Sequence, residues 1–302
     1  MINTLLFASA ALIWGSTWLA IKFQLGATDP LVSILFRFAL SSLLLFAYAF
    51  LRRKNLRYGL RDHLFLALQG MFLFGINYFL VYMAEQHLTS GLVAVVFSTM
   101  VIWNILLAAL FLNKPIRAHM IAGAAAGLTG IVLIFHQEIL AFTLTSSSSL
   151  AVLMSLLATL SASLGNLIAA LNQRRGLPVL QTNAFGMLYS TLAMTLLALL
   201  LGKSFRPEWN FPYVGSLIYL AVFGSILVFG IYLRLLGNIG VDKAAYVLLV
   251  TPVIALLFST LFEGYSWHLP AFVGLACILL GNLLIMKKAP VPQRKRRAWE
   301  TA

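Results

Sequence analysis

The chain has 302 residues, of which 61% are hydrophobic and only 10% charged, and its mean hydropathy is +0.95. Soluble domains carry about 45–50% apolar and about 25% charged residues, so a water-soluble fold is excluded, and disorder is excluded with it. The net charge of +13 does not point to nucleic acid, because the basic residues sit in short connectors rather than on one folded face.

In chain order, apolar runs lie at roughly 3–21, 31–51, 64–84, 91–112, 118–135, 150–171, 181–201, 213–233, 244–262 and 269–286. A helix of about 20 residues at ~1.5 Å rise covers the ~30 Å hydrocarbon core, so each run suits one crossing. The expectation is an all-α polytopic membrane protein with ten transmembrane helices. Period-two alternation is absent, which argues against a membrane β-barrel. Residues 4–21 are too long for a signal-peptide core and follow no basic leader, so they read as a retained first span.

The 21 Lys and Arg residues are unevenly placed. Seventeen fall on one side: Arg52, Arg53, Lys54, Arg57, Arg61, Lys114, Arg117, Arg174, Arg175, Arg234, Lys243, Lys287, Lys288, Arg294, Lys295, Arg296 and Arg297. Lys22, Lys203 and Arg206 fall on the other, and Arg37 lies inside a span. The positive-inside rule therefore predicts cytoplasmic termini in an inner (plasma) membrane of bacterial type. The basic tail, 288–302, reads as a topology lock that touches anionic headgroups, or as a lipid-sensing or partner-binding segment.

The chain also repeats. Gly123-Ala124-Ala125-Ala126-Gly127-Leu128-Thr129-Gly130 resembles Gly274-Leu275-Ala276-Cys277-Ile278-Leu279-Leu280-Gly281 at an offset of 151. Ala94 meets Ala245 and Leu110-Phe111 meets Leu261-Phe262 at the same offset, while Pro30-Leu31-Val32 resembles Pro178-Val179-Leu180. Each half, 3–136 and 149–287, holds five spans, with a polar connector at Thr145–Ser149 between them. Five is odd, so the second half enters from the opposite side, the inverted arrangement of many secondary transporters. Chance similarity between Gly-, Ala- and Leu-rich helices is the plainer alternative.

Trp14-Gly15-Ser16-Thr17-Trp18-Leu19-Ala20-Ile21-Lys22, Phe36-Arg37-Phe38, Gly91-Leu92-Val93-Ala94-Val95-Val96 and Leu110-Phe111-Leu112-Asn113-Lys114-Pro115 carry a family likeness. So do Thr251-Pro252 and Ser259-Thr260-Leu261-Phe262-Glu263-Gly264-Tyr265-Ser266-Trp267. In this order the chain resembles the drug/metabolite transporter superfamily, in its EamA-type branch, over essentially residues 3–287. The resemblance implies ten helices in two inverted halves, a central cavity, and gradient-driven movement of amino acids or other small metabolites. Two departures stand out: Lys114 occupies a position usually acidic in the family, and Val101 stands near a usual proline. Only the second half keeps its helix-kink proline, Pro252, so matched proline kinks are not expected.

Candidate pathway residues are the polar and aromatic groups inside or closing spans: Trp14, Ser16, Lys22, Arg37, Asn77, Tyr78, Tyr82, Trp103, Asn104, Asn166, Tyr232 and Tyr246. A small-molecule site needs a few placed polar groups in an apolar pocket. Interhelical hydrogen bonding and interfacial aromatics are the competing explanation. Arg37 fits a contact for a substrate carboxylate, or an arginine snorkelling outward to Asp29 or Glu85. Lys22 fits an attractor of anionic groups or a boundary anchor. Glu85 and Glu263, beside His87, are candidates for a coupling proton or are simply exposed at helix ends.

Catalysis and metal binding find little support. Cys277 is the single cysteine, so no internal disulfide or cysteine cluster is possible. His63, His87, His119, His136 and His268 lack metal-ligand spacing, and no P-loop or nucleophile–base motif occurs. No cofactor and no ATPase partner are therefore expected. The reading is a secondary transporter of small metabolites, most simply an exporter of amino acids or related compounds. A membrane-embedded enzyme on a lipid-linked substrate, or a non-transporting scaffold or receptor, are the rivals.

Overall fold

The computed structural model describes residues 2–26, 28–112, 115–134, 136, 146–239 and 246–286. Lys114, Lys243 and the basic tail lie outside the described residues, as do the side chains of Val101 and Tyr246. Among the described residues all regular structure is helical.

The helices are α1 (Ile2–Lys22), α2 (Pro30–Leu51), α3 (Leu60–Glu85), α4 (Ser90–Phe111), α5 (Ala118–Ile134), α6 (Ser147–Arg174) and α7 (Val179–Leu200). They continue with α8 (Phe211–Ala221, Val222–Leu227 and Val228–Ile239 end to end), α9 (Tyr246–Phe262) and α10 (Leu269–Met286). Seven of these, α1 to α4 and α6 to α8, are long and apolar enough to cross a membrane. The other three, α5, α9 and α10, are shorter apolar helices: the 17 residues of α5 reach only about 25 Å. Length and composition alone thus support a polytopic all-α membrane protein, and seven crossings of the ten expected.

Local chemistry sets the ends. Asp29 Oδ1 accepts the Leu31 N–H at 2.9 Å with Pro30 leading α2, and Asn210 Oδ1 accepts the Tyr213 N–H at 2.9 Å to start α8. Each side chain satisfies a donor that the first helical turn leaves open. Ser146 does the same for α6, accepting from Ser149 N at 3.2 Å. Ser147 to Ser149, read in sequence as connector, are consequently its first helical turn. Gly176 and Gly202 follow α6 and α7 at φ of +82° and +62°. That conformation strains any residue with a Cβ and lets the chain turn back onto the last carbonyls.

Two helices contain wide turns. Met71–Ile76 in α3 and Val222–Leu227 in α8 are π-helical, and their first residues are 151 apart, the offset of the sequence repeat. A π-turn shifts the hydrogen-bond register and frees carbonyls, commonly at functional positions. Neighbouring serines take up the slack: Ser161 Oγ of α6 donates to Phe72 O at 2.7 Å, and Ser41 Oγ of α2 donates to Ala221 O at 3.3 Å.

α4 is interrupted at Ser98–Thr99, between helical stretches Ser90–Phe97 and Met100–Leu112. The hydroxyls turn back on their own helix, Ser98 to Val95 O at 2.6 Å and Thr99 to Val96 O at 2.7 Å. Such local bonds compete with the helical ladder. The fourth helix therefore breaks without a proline, close to Val101, whereas Pro252 lies buried inside α9.

Packing brings the two parts of the chain together: α2 lies on α7, α1 on α8 and α9, and α6 on α3 and α4. Glycine permits the closest contacts. Gly70 of α3 meets the Gly186 backbone of α7, while Gly123 and Gly130 of α5 meet Gly281 and Gly274 of α10. Small residues at such crossings let backbones approach where no hydrophobic drive separates helix from lipid. Large apolar side chains such as Leu43, Phe50, Leu110, Leu196, Leu200 and Leu261 are exposed, as a lipid-facing surface requires.

Candidate functional site

The central feature is Arg37, on α2, at only 1% exposure. Its Nε and Nη2 both donate to Ser225 Oγ at 3.4 Å, in the π-turn of α8, and Ser225 Oγ in turn donates to Leu220 O at 2.9 Å. Its guanidinium carbon lies 4.4 Å from the Tyr78 ring centroid and 5.3 Å from that of Phe38. Nη1 has no hydrogen-bond partner. Asp29 pairs instead with Lys203 at 2.8 Å. Among the described residues no carboxylate forms an ion pair with Arg37, and the snorkelling arrangement is not the one seen. Glu85, Tyr78 and Tyr82 act on it electrostatically, but a buried charge without a close ion-pair partner costs several kcal/mol, roughly, which packing alone gives no reason to retain.

Tyr82, Gln24 and Glu85 continue the same seam along α3. Tyr82 is fully buried and donates to Gln24 Oε1 at 2.6 Å, which leaves Gln24 Nε2 unpartnered. Tyr78, Tyr82 and Glu85 recur at helical spacing, so they line one face toward α2. Asn77, one residue off that face, donates to Leu73 O at 3.1 Å and steadies the end of the α3 π-turn.

The remaining candidates divide between two other seams. On the α1–α8 seam Trp14 packs against Phe229 and Tyr232, at 5.7 and 5.1 Å between ring centroids. Ser16 Oγ is 2.7 Å from the Tyr219 hydroxyl. On the α4–α6 seam Asn166 Nδ2 donates to Met100 Sδ at 3.5 Å, with Trp103 and Asn104 half-buried nearby in sequence. Away from that seam, a crevice of about 10 Å³, room for one water, opens between the α4 break, α5 and α10, lined in part by Ser98, Thr99, Gly127 and Asn282.

One end of the bundle carries charge. Lys22 Nζ lies 3.6 Å from Glu263 Oε1 and donates to Leu88 O at 2.6 Å and to Glu85 O. Glu263 accepts the Ser90 N–H and hydroxyl. Glu85 is wholly buried, with neither carboxyl oxygen hydrogen-bonded. The opposite end is held differently. Asn172 of α6 donates to Gln69 of α3 at 2.9 Å, and Gln69 donates to Asn183 of α7 at 3.3 Å. Arg175 pairs with Asp62 at 2.5 Å, and Tyr189 and His63 Nδ1 are 2.6 Å apart. Sequence reading passed over Gln24, Tyr219, Ser225 and this amide chain. A glutamine or asparagine buried one turn from the end of an apolar run was the available signal.

Comparison with known proteins agrees with this architecture. The model of the EamA-like transporter family matches residues 1–136 and 149–287. The chain is 27% identical to the "Uncharacterized transporter YoaV" of Bacillus subtilis over 92% of this chain and 91% of that one. It is 26% identical to "Protein PagO" of Salmonella typhimurium, covering 97% and 96%. It is 28% identical to the "Uncharacterized inner membrane transporter YedA" of Escherichia coli K12, covering 91% and 87%. A solved crystal structure aligns over 93% of this chain and 95% of its own with a TM-score of 0.67, at 17% identity, a likeness of fold alone. The chain belongs to the EamA-like transporter family and is a multi-pass helical transporter of small molecules.

Proposed function

We propose that the chain is an exporter of amino acids or related small metabolites, working by alternating access between two inverted five-helix repeats, 3–136 and 149–287. Its place is the bacterial inner membrane with both termini cytoplasmic, in keeping with the basic connectors. The Escherichia coli relative is likewise named an inner membrane transporter.

Recurring contacts support the inverted halves. Thr17 of α1 lies against Gly224 in the α8 π-turn, and Gly165 of α6 lies against Leu73 in the α3 π-turn. Thr17 and Gly165 are 148 residues apart, and Leu73 and Gly224 are 151 apart, the two offsets seen in the sequence. Likewise Gly15 approaches Thr251 O, and Ser163 Oγ donates to Met100 O at 3.3 Å. Each pair is the other's counterpart under a two-fold exchange, the geometry by which one half rocks against the other.

The observation that carries the substrate assignment is the buried guanidinium of Arg37 with a free Nη1, at the contact between α2 and α8. A solute carboxylate fits that donor. Tyr78, Tyr82, Ser16 and Trp14 are proposed to line the path with phenol, hydroxyl and indole groups. Glu85 and Glu263 are the proposed carriers of a coupling proton, and Pro252 within α9 and the Ser98–Thr99 break in α4 the proposed points of bending.

Counterflow in proteoliposomes preloaded with mixed unlabelled amino acids and other metabolites tests the reading. Accumulation of a labelled amino acid above empty liposomes is expected. A folded protein that exchanges other metabolites but no amino acid would sink the substrate assignment.

A further inference from the structure

Three helices end at one corner of the molecule: α1 at Lys22, α3 at Glu85, and α9 at Phe262, just before Glu263. Each C-terminus leaves carbonyls without helical donors and presents the negative end of a helix dipole. The Lys22 ammonium stands among them. It donates to the carbonyls of Glu85 and Leu88, the latter at 2.6 Å, and lies 3.6 Å from Glu263 Oε1. Glu263 is itself fixed, because its two oxygens accept the Ser90 N–H at 3.1 and 3.0 Å at the start of α4.

A second carboxyl lies near the same charge. Glu85 is fully buried, both its oxygens lack a hydrogen-bond partner, and its charged neighbours are Lys22, Glu263 and Arg37. The Glu263 carboxylate and two main-chain carbonyls therefore hold the ammonium, with the buried Glu85 carboxyl beside them. An all-oxygen cage is the chemistry that holds hard cations, and unwound carbonyls at helix ends are where transporters coordinate them.

We infer that this corner is a monovalent-cation site which Lys22 fills as a tethered cation, and that a free small cation takes the site when the ammonium is removed. The tether joins α1, α3 and α4 to α9, so occupancy of the cage closes this end of the bundle. The inference goes beyond the transport reading and holds whatever solute the protein carries, so the test needs no transport.

Thermal unfolding of the purified protein would be followed at equal ionic strength in chlorides of sodium, potassium, ammonium and N-methylglucamine. The native chain should unfold at one temperature in all four. Lys22→Ala should unfold about 5 °C higher, saturably, in at least one small cation than in N-methylglucamine. The double variant Lys22→Ala/Glu263→Gln should lose that response. Equal midpoints for Lys22→Ala in every salt, or an undiminished response in the double variant, would overturn the site. Lys22→Met, which keeps the apolar stem, replaces Lys22→Ala if the latter does not fold. If neither folds, Glu263→Gln alone decides: an amine-reactive reagent should modify Lys22 several-fold faster than in the native chain, and equal rates would refute the cage.

Discussion

The π-turns of α3 and α8 use the same backbone device with different surroundings. In each, a serine from a neighbouring helix satisfies a freed carbonyl, Ser161 on Phe72 and Ser41 on Ala221, and a close contact at a glycine seats the adjacent helix. Among the described residues, only the α8 turn receives a charge, from Arg37. The residue 148 positions later, Phe185, packs among Phe46, His63 and Tyr189 and is aromatic instead. The shared part is structural, since either turn would cost a carbonyl hydrogen bond without its serine. The unshared part is a difference of polarity: a guanidinium stands at the α8 turn, and an aromatic ring takes the corresponding sequence position in the other half.

The largest expected difference lies at that unshared position. Arg37→Met should lower transport of carboxylate solutes by about 100-fold or more, the loss of about 3 kcal/mol of charge-assisted binding. Its thermal midpoint should hold or rise, because an unpaired buried charge has been removed. A midpoint that falls in step with activity would make the guanidinium structural. Phe185→Met should cost stability, about 1 kcal/mol, with no preference between acidic and neutral solutes.

The glycines come next. A Cβ on Gly165 meets Leu73 Cβ at 2.6 Å and its main chain at 2.8 Å, whereas one on Gly224 meets the Thr17 methyl at 2.7 Å. Both alanine variants should lose about 1–3 kcal/mol by overpacking, and Gly165→Ala the more, since main chain cannot rotate away. Denaturant midpoints order the two. Ser161→Ala and Ser41→Ala should each cost about 0.5–1.5 kcal/mol, the shorter bond of Ser161 losing more. The smallest effect should be Asp62→Asn, below about 1 kcal/mol, because its ion pair with Arg175 is partly solvated. An effect on the scale of the glycine variants would show that this end is held by charge rather than by the Asn172–Gln69–Asn183 chain.

Much of the frame was legible because bilayer thickness imposes a length on apolar runs: the expected 31–51 is Pro30–Leu51 and the expected 269–286 is Leu269–Met286. The π-turns were not legible. Met71–Ile76 and Val222–Leu227 are apolar stretches whose extra residue is absorbed by register, not marked by proline or a polar cluster. The break in α4 was missed for a related reason. A proline at position 101 would have announced it, but Ser98 and Thr99 produce it through side-chain bonds to their own helix. Arg37 was singled out because charge inside a span is costly. Its partner Ser225, and Gln24 that bonds Tyr82, were not, since partners across helices depend on packing that a single sequence does not display. Asn166, chosen by the same polarity criterion as Tyr78, falls on a separate seam against Met100.

The most direct test of the central claim is counterflow of matched substrates, one an acid and the other its neutral amide, in proteoliposomes of the native chain and of Arg37→Ala. If Arg37 reads a carboxylate between the two halves, the variant should lose acid exchange far more than amide exchange. Equal loss of both would contradict that role and leave Arg37 as a support for the α8 turn.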